Sequence, residues 1–315
     1  RSTQIPRSRY GDWVAPVRTP LALIEDAFLH FSVARLAQIN RALGRTSEAS
    51  ELSVLADRLA EEFNRNHFDA RTNSYSGRTQ TALILPLAFG LVPPDRIHAV
   101  AKNLVKSIRR RGTHLTTGFL GTAWALQVLD ETGHADVAFD LLTQSEFPSW
   151  GHMVAKGATT IWELWDSDTA GPRMNSRNHF ALGGTLRWLI EGLAGIRPDW
   201  DRPGFQRAVI RPRPVGDLRW VRAEVQTLFG SLRSEWQRDG GAFQLDVAIP
   251  PNSGAEVHVP MAGCERDRLR VDDREVRASD VGNTVAPAVA LQSVQGRCAV
   301  FAVGAGSFRF RTDPR

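Results

Sequence analysis

Apolar residues recur every three or four positions through about residue 195 and every second position from about Pro198 onward. The two periods demand different elements. Spacing of three and four lines one face of a helix, and strict alternation lines one face of a strand. The chain therefore divides into a helical half, 1–197, and a strand half, 198–315, joined by the Pro-bearing run 197–203. Its 315 residues suffice for two cores of ordinary size.

In the first half, residues 21–43 carry a helical stripe stopped by Gly44. Thr46 and Glu48 open a second segment with Leu52, Leu55, Leu59 and Phe63 at helical spacing. Further helices are expected at 79–89, 97–108, 118–129, 135–142 and 176–193. Nearly apolar segments alternate with amphipathic ones, the pattern of an inner layer buried on most sides and an outer layer with a wet face. Seven helices make about three and a half hairpins.

In the second half, strands are expected at 207–211, 218–225, 232–236, 243–249, 255–259, 269–271, 288–294, 299–303 and 307–311. Asp239-Gly240-Gly241 is a hairpin turn. Short antiparallel strands separated by turn signals describe a β-sandwich.

Composition removes several function classes. Thirty-nine basic against 34 acidic residues leave only +5. The densest basic run, Arg109, Arg110 and Arg111, closes a helical segment, where cations offset the macrodipole. Charge therefore implies no nucleic-acid partner. No run of about 18 apolar residues predicts a membrane-spanning helix, and no signal peptide is visible, so compartment stays unassigned. Cys264 and Cys298 lack metal-ligand spacing, so no metal site is expected. Two free thiols are the favoured reading, with a disulfide left open. The chain opens on Arg1 without an initiator Met, which suits a piece of a longer protein.

Six polar and aromatic clusters precede or lie between the apolar helices of the first half. They are Tyr10-Gly11-Asp12-Trp13, Arg78-Thr79-Gln80-Thr81, 114–119 with His114, Ser149-Trp150-Gly151-His152, 159–165 with Trp162, Glu163 and Trp165, and 175–179 with His179. If alternate helices line a barrel, these starts converge at one end. Tryptophan stacks on the apolar face of a sugar ring, and Asn, His, Thr and carboxylates bond hydroxyls. Taken singly, each has a plainer reading. Thr79 and Ser176 serve equally as helix caps, Trp13 and Trp150 as core, and His179 as a satisfied buried histidine. Glu163 is the least plain. A carboxylate between Trp162 and Trp165 is no solvated face, and desolvation there makes it a stronger proton acceptor. Asp166 and Asp168 read as loop and capping residues.

The same strings resemble the bacterial α-L-rhamnosidase family, inverting glycosidases built on an (α/α)6 toroid. They include Tyr10-Gly11-Asp12-Trp13, Thr79-Gln80-Thr81-Ala82, the run 114–122, Pro148-Ser149-Trp150-Gly151, the run 157–163 ending in Thr160-Ile161-Trp162-Glu163, and Met174-Asn175-Ser176 with Asn178-His179. Val209-Ile210-Arg211-Pro212 resembles the opening of that family's C-terminal β-sandwich. The resemblance implies that Glu163 is the general base, that His179 and Trp13 contact rhamnose with Asp12 beside them, and that His114 and Trp150 belong to the same rim; Asp12 and Trp162 are counted with them as substrate-binding. It implies a rhamnose-containing glycoside as ligand and chemistry without a cofactor or metal.

The departure lies at the front. The family's general acid sits in an acidic string upstream of Gly-Asp-Trp, and nothing before Tyr10 matches it. Seven helices are also too few for a twelve-helix toroid. The expectation is a partial (α/α)6 toroid followed by an antiparallel β-sandwich, with the missing N-terminal part of the same protein as partner and weak hydrolysis by this chain alone. Another (α/α)6 glycosidase, or a non-catalytic carbohydrate-binding fragment, is the alternative.

Overall fold

The computed structural model describes residues 10–171, 175–261, 268–295 and 297–314. The chain forms two compact units, Arg1–Leu186 and Arg187–Arg315.

Helices α1 (Leu21–Ala42) and α2 (Thr46–His67) form the first hairpin. Gly44 turns it at φ +73°, a backbone state that glycine adopts without strain. A two-stranded ribbon, β1 (Phe68–Asp69) and β2 (Ser74–Tyr75), leads to α3 (Gln80–Ala88) and α4 (Ile97–Arg110). Next come α5 (Phe119–Glu131), α6 (Ala135–Leu142) and the short α7 (Trp150–Ala155). Every residue of α3 from Gln80 to Pro86 is buried. By contrast α4 buries only Val100, Ala101, Leu104 and Ile108, and α6 only Val137, Ala138 and Leu141. Thus α3 and α5 belong to an inner layer and α4 and α6 to an outer one, as the hydrophobic pattern requires. The inner helices meet closely: a Cβ on Gly121 of α5 would lie 2.4 Å from Thr81 Oγ1 of α3. This is part of an (α/α)6 toroid.

One expected helix is largely wrong. Residues 175–180 are not helical. The chain turns in a 3-10 segment at Ala181–Gly184, runs through α8 (Thr185–Trp188) and ends in a π turn at Leu189–Leu193. Ser176 is not a helix cap. Its amide donates to the Glu163 carboxylate and its carbonyl accepts from the Glu163 amide, so this backbone is held against Glu163. The six-residue α7 escaped the sequence reading because so short a helix shows hardly two turns of period.

The second unit has two six-stranded sheets. One runs β10 (Arg274–Val276), β9 (Arg268–Val271), β14 (Gly306–Asp313), β7 (Ala242–Ile249), β6 (Gly230–Asp239), β5 (Trp220–Thr227). The other runs β11 (Thr284–Ala286), β12 (Val289–Gln295), β13 (Cys298–Val303), β8 (Gly254–Pro260), β4 (Arg207–Ile210), β3 (Ile196–Pro198). Among the described residues every pairing is antiparallel except that of β4 with β8. Gly240 and Gly241, at φ +53° and +88°, form the two-residue loop between β6 and β7. The inward residues of both sheets share one core. Trp236, Leu245 and Phe310 come from the first sheet, and Ile210, Val257 and Phe301 from the second. The Phe301 and Phe310 rings lie 5.0 Å apart across it. The unit is therefore a sandwich. The strands that alternation missed, β1, β2, β3, β10 and β11, span only two or three residues each.

Two groups fix the start of this unit. A Cβ on Gly195, at φ +83°, would lie 2.3 Å from Arg211 C and Pro212 N, so glycine is required. Trp236 is fully buried, and its Nε1–H donates to Leu193 O at 2.7 Å. Trp236→Phe should keep most of the packing but leave Leu193 O with only the longer bond from Arg213 N at 3.4 Å. We expect a loss of about 0.5–1.5 kcal/mol, read as a lower urea midpoint with an unchanged m-value.

Cys298 is a free, half-buried thiol 3.8 Å from His258 Nδ1, and burial pushes its pKa up. Cys264 lies outside the described residues. Among the described residues, no helix is long and apolar enough to cross a membrane. No group of three or more His, Cys, Asp or Glu among them is arranged to hold a metal ion.

Candidate active site

The six clusters singled out in the sequence are joined to one another. The first joint is Asp12, only 8% exposed. Its Oδ2 accepts from Thr81 Oγ1 and from Gly118 N at 2.9 Å. Its Oδ1 accepts from Leu120 N at 2.8 Å and Gly121 N at 3.1 Å. One carboxylate thus caps the first turn of α5 and ties it to α3, where an anion is favoured by both unpaired amides and the helix dipole. With its acceptor positions filled, Asp12 is a clamp. The resemblance places Asp12 among the sugar-binding residues; in the structure its carboxylate accepts from these four protein donors.

The clamp seats Trp13. Phe119 N donates to Trp13 O at 3.0 Å. A Cβ on Gly118 would lie 2.0 Å from that same carbonyl oxygen, so only glycine allows the approach. The Trp13 ring is half-buried and meets Tyr10 edge-on at 5.4 Å.

Gln80 makes the second joint, donating to His114 O at 3.1 Å and accepting from Thr116 N at 2.8 Å. The His114 ring faces two backbone carbonyls, Arg111 O at 2.9 Å and Glu146 O at 3.3 Å. It lines a cavity of about 450 Å³ with Val14, Phe147, Leu164, Trp165 and Asp166, among others.

The base candidate sits on two facing segments, 160–163 and 176–179, joined by two backbone bonds and one side-chain bond. Glu163 N donates to Ser176 O at 2.9 Å, His179 N donates to Ile161 O at 2.8 Å, and Thr160 Oγ1 donates to Arg177 O. Glu163 is 7% exposed, so it is not on the outer surface. Its Oε2 accepts from Ser176 N at 2.9 Å. Oε1 accepts no hydrogen bond among the described residues, and it is not among the oxygens sealed from solvent without a partner. One oxygen is thus anchored and the other is open.

His179 comes from the facing segment. Its Nδ1 accepts from Ala181 N at 3.2 Å. An amide can only donate, so Nδ1 carries no proton there, and in the neutral ring the proton sits on Nε2. The His179 ring stacks on Phe119 at 4.9 Å and on Phe180 at 5.2 Å. Phe119 therefore links Trp13, through its amide, to His179, through its ring.

Two tryptophans lie behind this surface. Trp150, 8% exposed, donates from Nε1 to Leu182 O at 2.8 Å and meets Trp165 edge-on at 5.4 Å. Trp162 is 3% exposed, with the Arg177 guanidinium 5.3 Å over its ring. Both rings are buried, as Glu163 is. Trp165 closes the circle by donating to Thr117 O at 3.4 Å. In the sequence Phe119 stands out only within the run 114–119, and Trp165 only as a flank of Glu163. Their position beside Gly118 and Glu163 was the available signal. Met174, part of one matching string, lies outside the described residues.

Residues 1–193 match the family model for the bacterial alpha-L-rhamnosidase 6 hairpin glycosidase domain. The chain belongs to the bacterial α-L-rhamnosidase family. Residues 195–270 match the model for that family's C-terminal domain. An alpha-L-rhamnosidase of Streptomyces avermitilis is 38% identical over 311 residues, covering 97% of this chain and 28% of the relative. One from Alteromonas sp. is 34% identical over 268 residues, covering 80% of this chain and 29% of the relative. Among solved structures, the S. avermitilis α-L-rhamnosidase complexed with L-rhamnose superposes with a TM-score of 0.86 at 37% identity, over 98% of this chain and 28% of that one. The α-L-rhamnosidase of Dictyoglumus thermophilum gives 0.85 at 31% identity, over 97% and 34%. The chain thus spans about a third or less of the length of these glycoside hydrolases.

Proposed function

We propose that this chain carries the base-bearing side of an inverting α-L-rhamnosidase site, with Glu163 as the general base. The observation that carries the reading is the split environment of that carboxylate. Ser176 N–H holds Oε2 while Oε1 stays open, on the same segment pair that carries His179. In the reaction an acid protonates the leaving glycosidic oxygen. Glu163 Oε1 takes a proton from a water on the opposite face of the sugar, and that water attacks the anomeric carbon. Such acid and base carboxyls stand about 6.5–9.5 Å apart, leaving room for the water. These proton transfers need no metal and no organic cofactor.

His179 Nε2–H donates to a rhamnose hydroxyl, and Trp13 covers an apolar face of the ring. His114 lines the cavity with Leu164, Trp165 and Asp166, which follow Glu163 in the chain. Asp12, Trp150 and Trp162 act from behind by fixing these groups. The proposal assigns residues 1–197 to the C-terminal portion of the catalytic barrel and 198–315 to the β-sandwich. It assigns the acid to the remaining N-terminal part of the same protein. In support, the internal carboxylates nearby are engaged or peripheral. Asp12 is capped by four donors, Asp168 pairs with His152 at 3.7 Å and Lys156 at 3.6 Å, and Asp166 is exposed at the cavity edge.

The test is proton NMR of an aryl α-L-rhamnoside hydrolysed by the complete enzyme. The β-anomer of rhamnose should appear first and then mutarotate; initial release of the α-anomer would overturn the inverting scheme. The 315 residues alone should release little rhamnose. Vigorous release would transfer the acid's role to an internal carboxylate, with Asp166 the first to substitute.

A further inference from the structure

The outer face of the sheet formed by β5, β6 and β7 carries an exposed tryptophan that the catalytic proposal does not use. Trp220 is 67% exposed, at the start of edge strand β5. It faces a groove of about 520 Å³, within the range of about 300–1,000 Å³ typical of small-molecule sites. The register places a polar row beside it: Trp220 opposite Gln237, Gln237 opposite Gln244, and Gln244 opposite Arg311. Neither the Trp220 indole N–H nor the Gln237 amide makes a hydrogen bond among the described residues. Gln244 uses only its Nε2, donating to Asp246 at 2.7 Å.

The ring is exposed on a fixed support. Arg238 of β6 donates from Nε to Leu218 O at 2.6 Å and also bonds Gly216 O, pinning the turn that leads into β5. Arg238 N donates to Arg219 O at 2.8 Å, beside the tryptophan itself. A fixed aromatic left in water forfeits the stabilisation that burial gives, about 25 cal/mol per Å² of apolar surface. In the groove it is the one large apolar side chain reaching the surface; Trp236 and Phe243 in its floor are buried.

We propose that this face is a second carbohydrate-binding site, one that takes a pyranose ring of a neutral oligosaccharide. One apolar ring amid planar amides matches one sugar face surrounded by hydroxyls. A Gln amide presents a donor and an acceptor side by side, as vicinal hydroxyls do. A protein partner would need a broader apolar centre, since stable interfaces bury about 800 Å² per partner around an apolar core. The site stands independently of Glu163 and of the catalytic reading.

Indole-labelled protein, titrated with cellohexaose in one arm and methyl α-L-rhamnopyranoside in the other, tests this by ¹H–¹⁵N NMR. The Trp220 signal is assigned by its loss in Trp220→Phe. At least one probe should move it, with Kd on the order of 1 mM. Trp220→Ala should weaken that binding about tenfold or more, and Gln237→Ala or Gln244→Ala by a smaller factor. The variants should melt like the wild type, and Trp220→Ala should leave turnover of a small aryl rhamnoside by the complete enzyme unchanged. A Trp220 signal unmoved by both sugars overturns the site. So does a Trp220 that acrylamide quenches in this chain but not in the complete enzyme, because its occupant is then another part of the same protein.

Discussion

Glu163→Gln in the complete enzyme should lower kcat by about 10²–10⁴-fold while leaving the affinity for free rhamnose nearly unchanged. The substitution is close to isosteric. The Gln carbonyl oxygen can keep the bond from Ser176 N–H, so the pairing of 160–163 with 176–179 survives. What disappears is the open oxygen's ability to take a proton. Binding and turnover should therefore separate, as expected when a group acts only in the transition state. Rhamnose affinity by calorimetry and steady-state turnover of an aryl rhamnoside measure the two sides. Turnover within a few-fold of wild type would remove Glu163 from the role of base and with it the catalytic proposal.

Asp12→Ala should instead act on stability. The substitution strips the acceptor from Thr81 and from the amides of Gly118, Leu120 and Gly121, all gathered around one buried carboxylate. Hydrogen bonds to charged groups contribute about 1.5–3 kcal/mol each, and an anion at a helix N-terminus adds up to about 2 kcal/mol. These do not add fully, because the freed amides recruit water. A net loss of about 3–5 kcal/mol is expected, lowering Tm by on the order of 10 °C. Asp12→Asn should fall between, since its amide keeps one acceptor and turns a donor toward amides that also donate. A variant that melts normally but shows a raised KM would make Asp12 a ligand contact after all.

Much of this was legible in residue order, for identifiable reasons. The inner helices were visible because burial on nearly all sides needs apolar runs, as in 82–86, and their partners because one wet face imposes a 3.6 period. The six clusters were visible because they stand where those runs begin. The stretch 175–180 was not. Leu182, Leu186 and Leu193 extend a helical stripe toward it, and Ser176 has the chemistry of a cap. What overrides propensity is a bond to a carboxylate 13 residues away, which no local pattern encodes. Direction was equally hidden. The types of Trp150, Trp162 and Asp12 announced rings and a carboxylate near a site. Only the structure gives their backbone partners, Leu182 O for Trp150 Nε1 and the α5 amides for Asp12.

The pairing of 160–163 with 176–179 also bears on redesign. The proposed base, Glu163, and the proposed sugar contact, His179, ride on two strips of chain that hold each other through main-chain contacts. Neither strip can be transplanted alone: a graft of one would arrive without the template that aims it. Attempts to alter glycan preference through His179 should therefore exchange both strips as a single cassette.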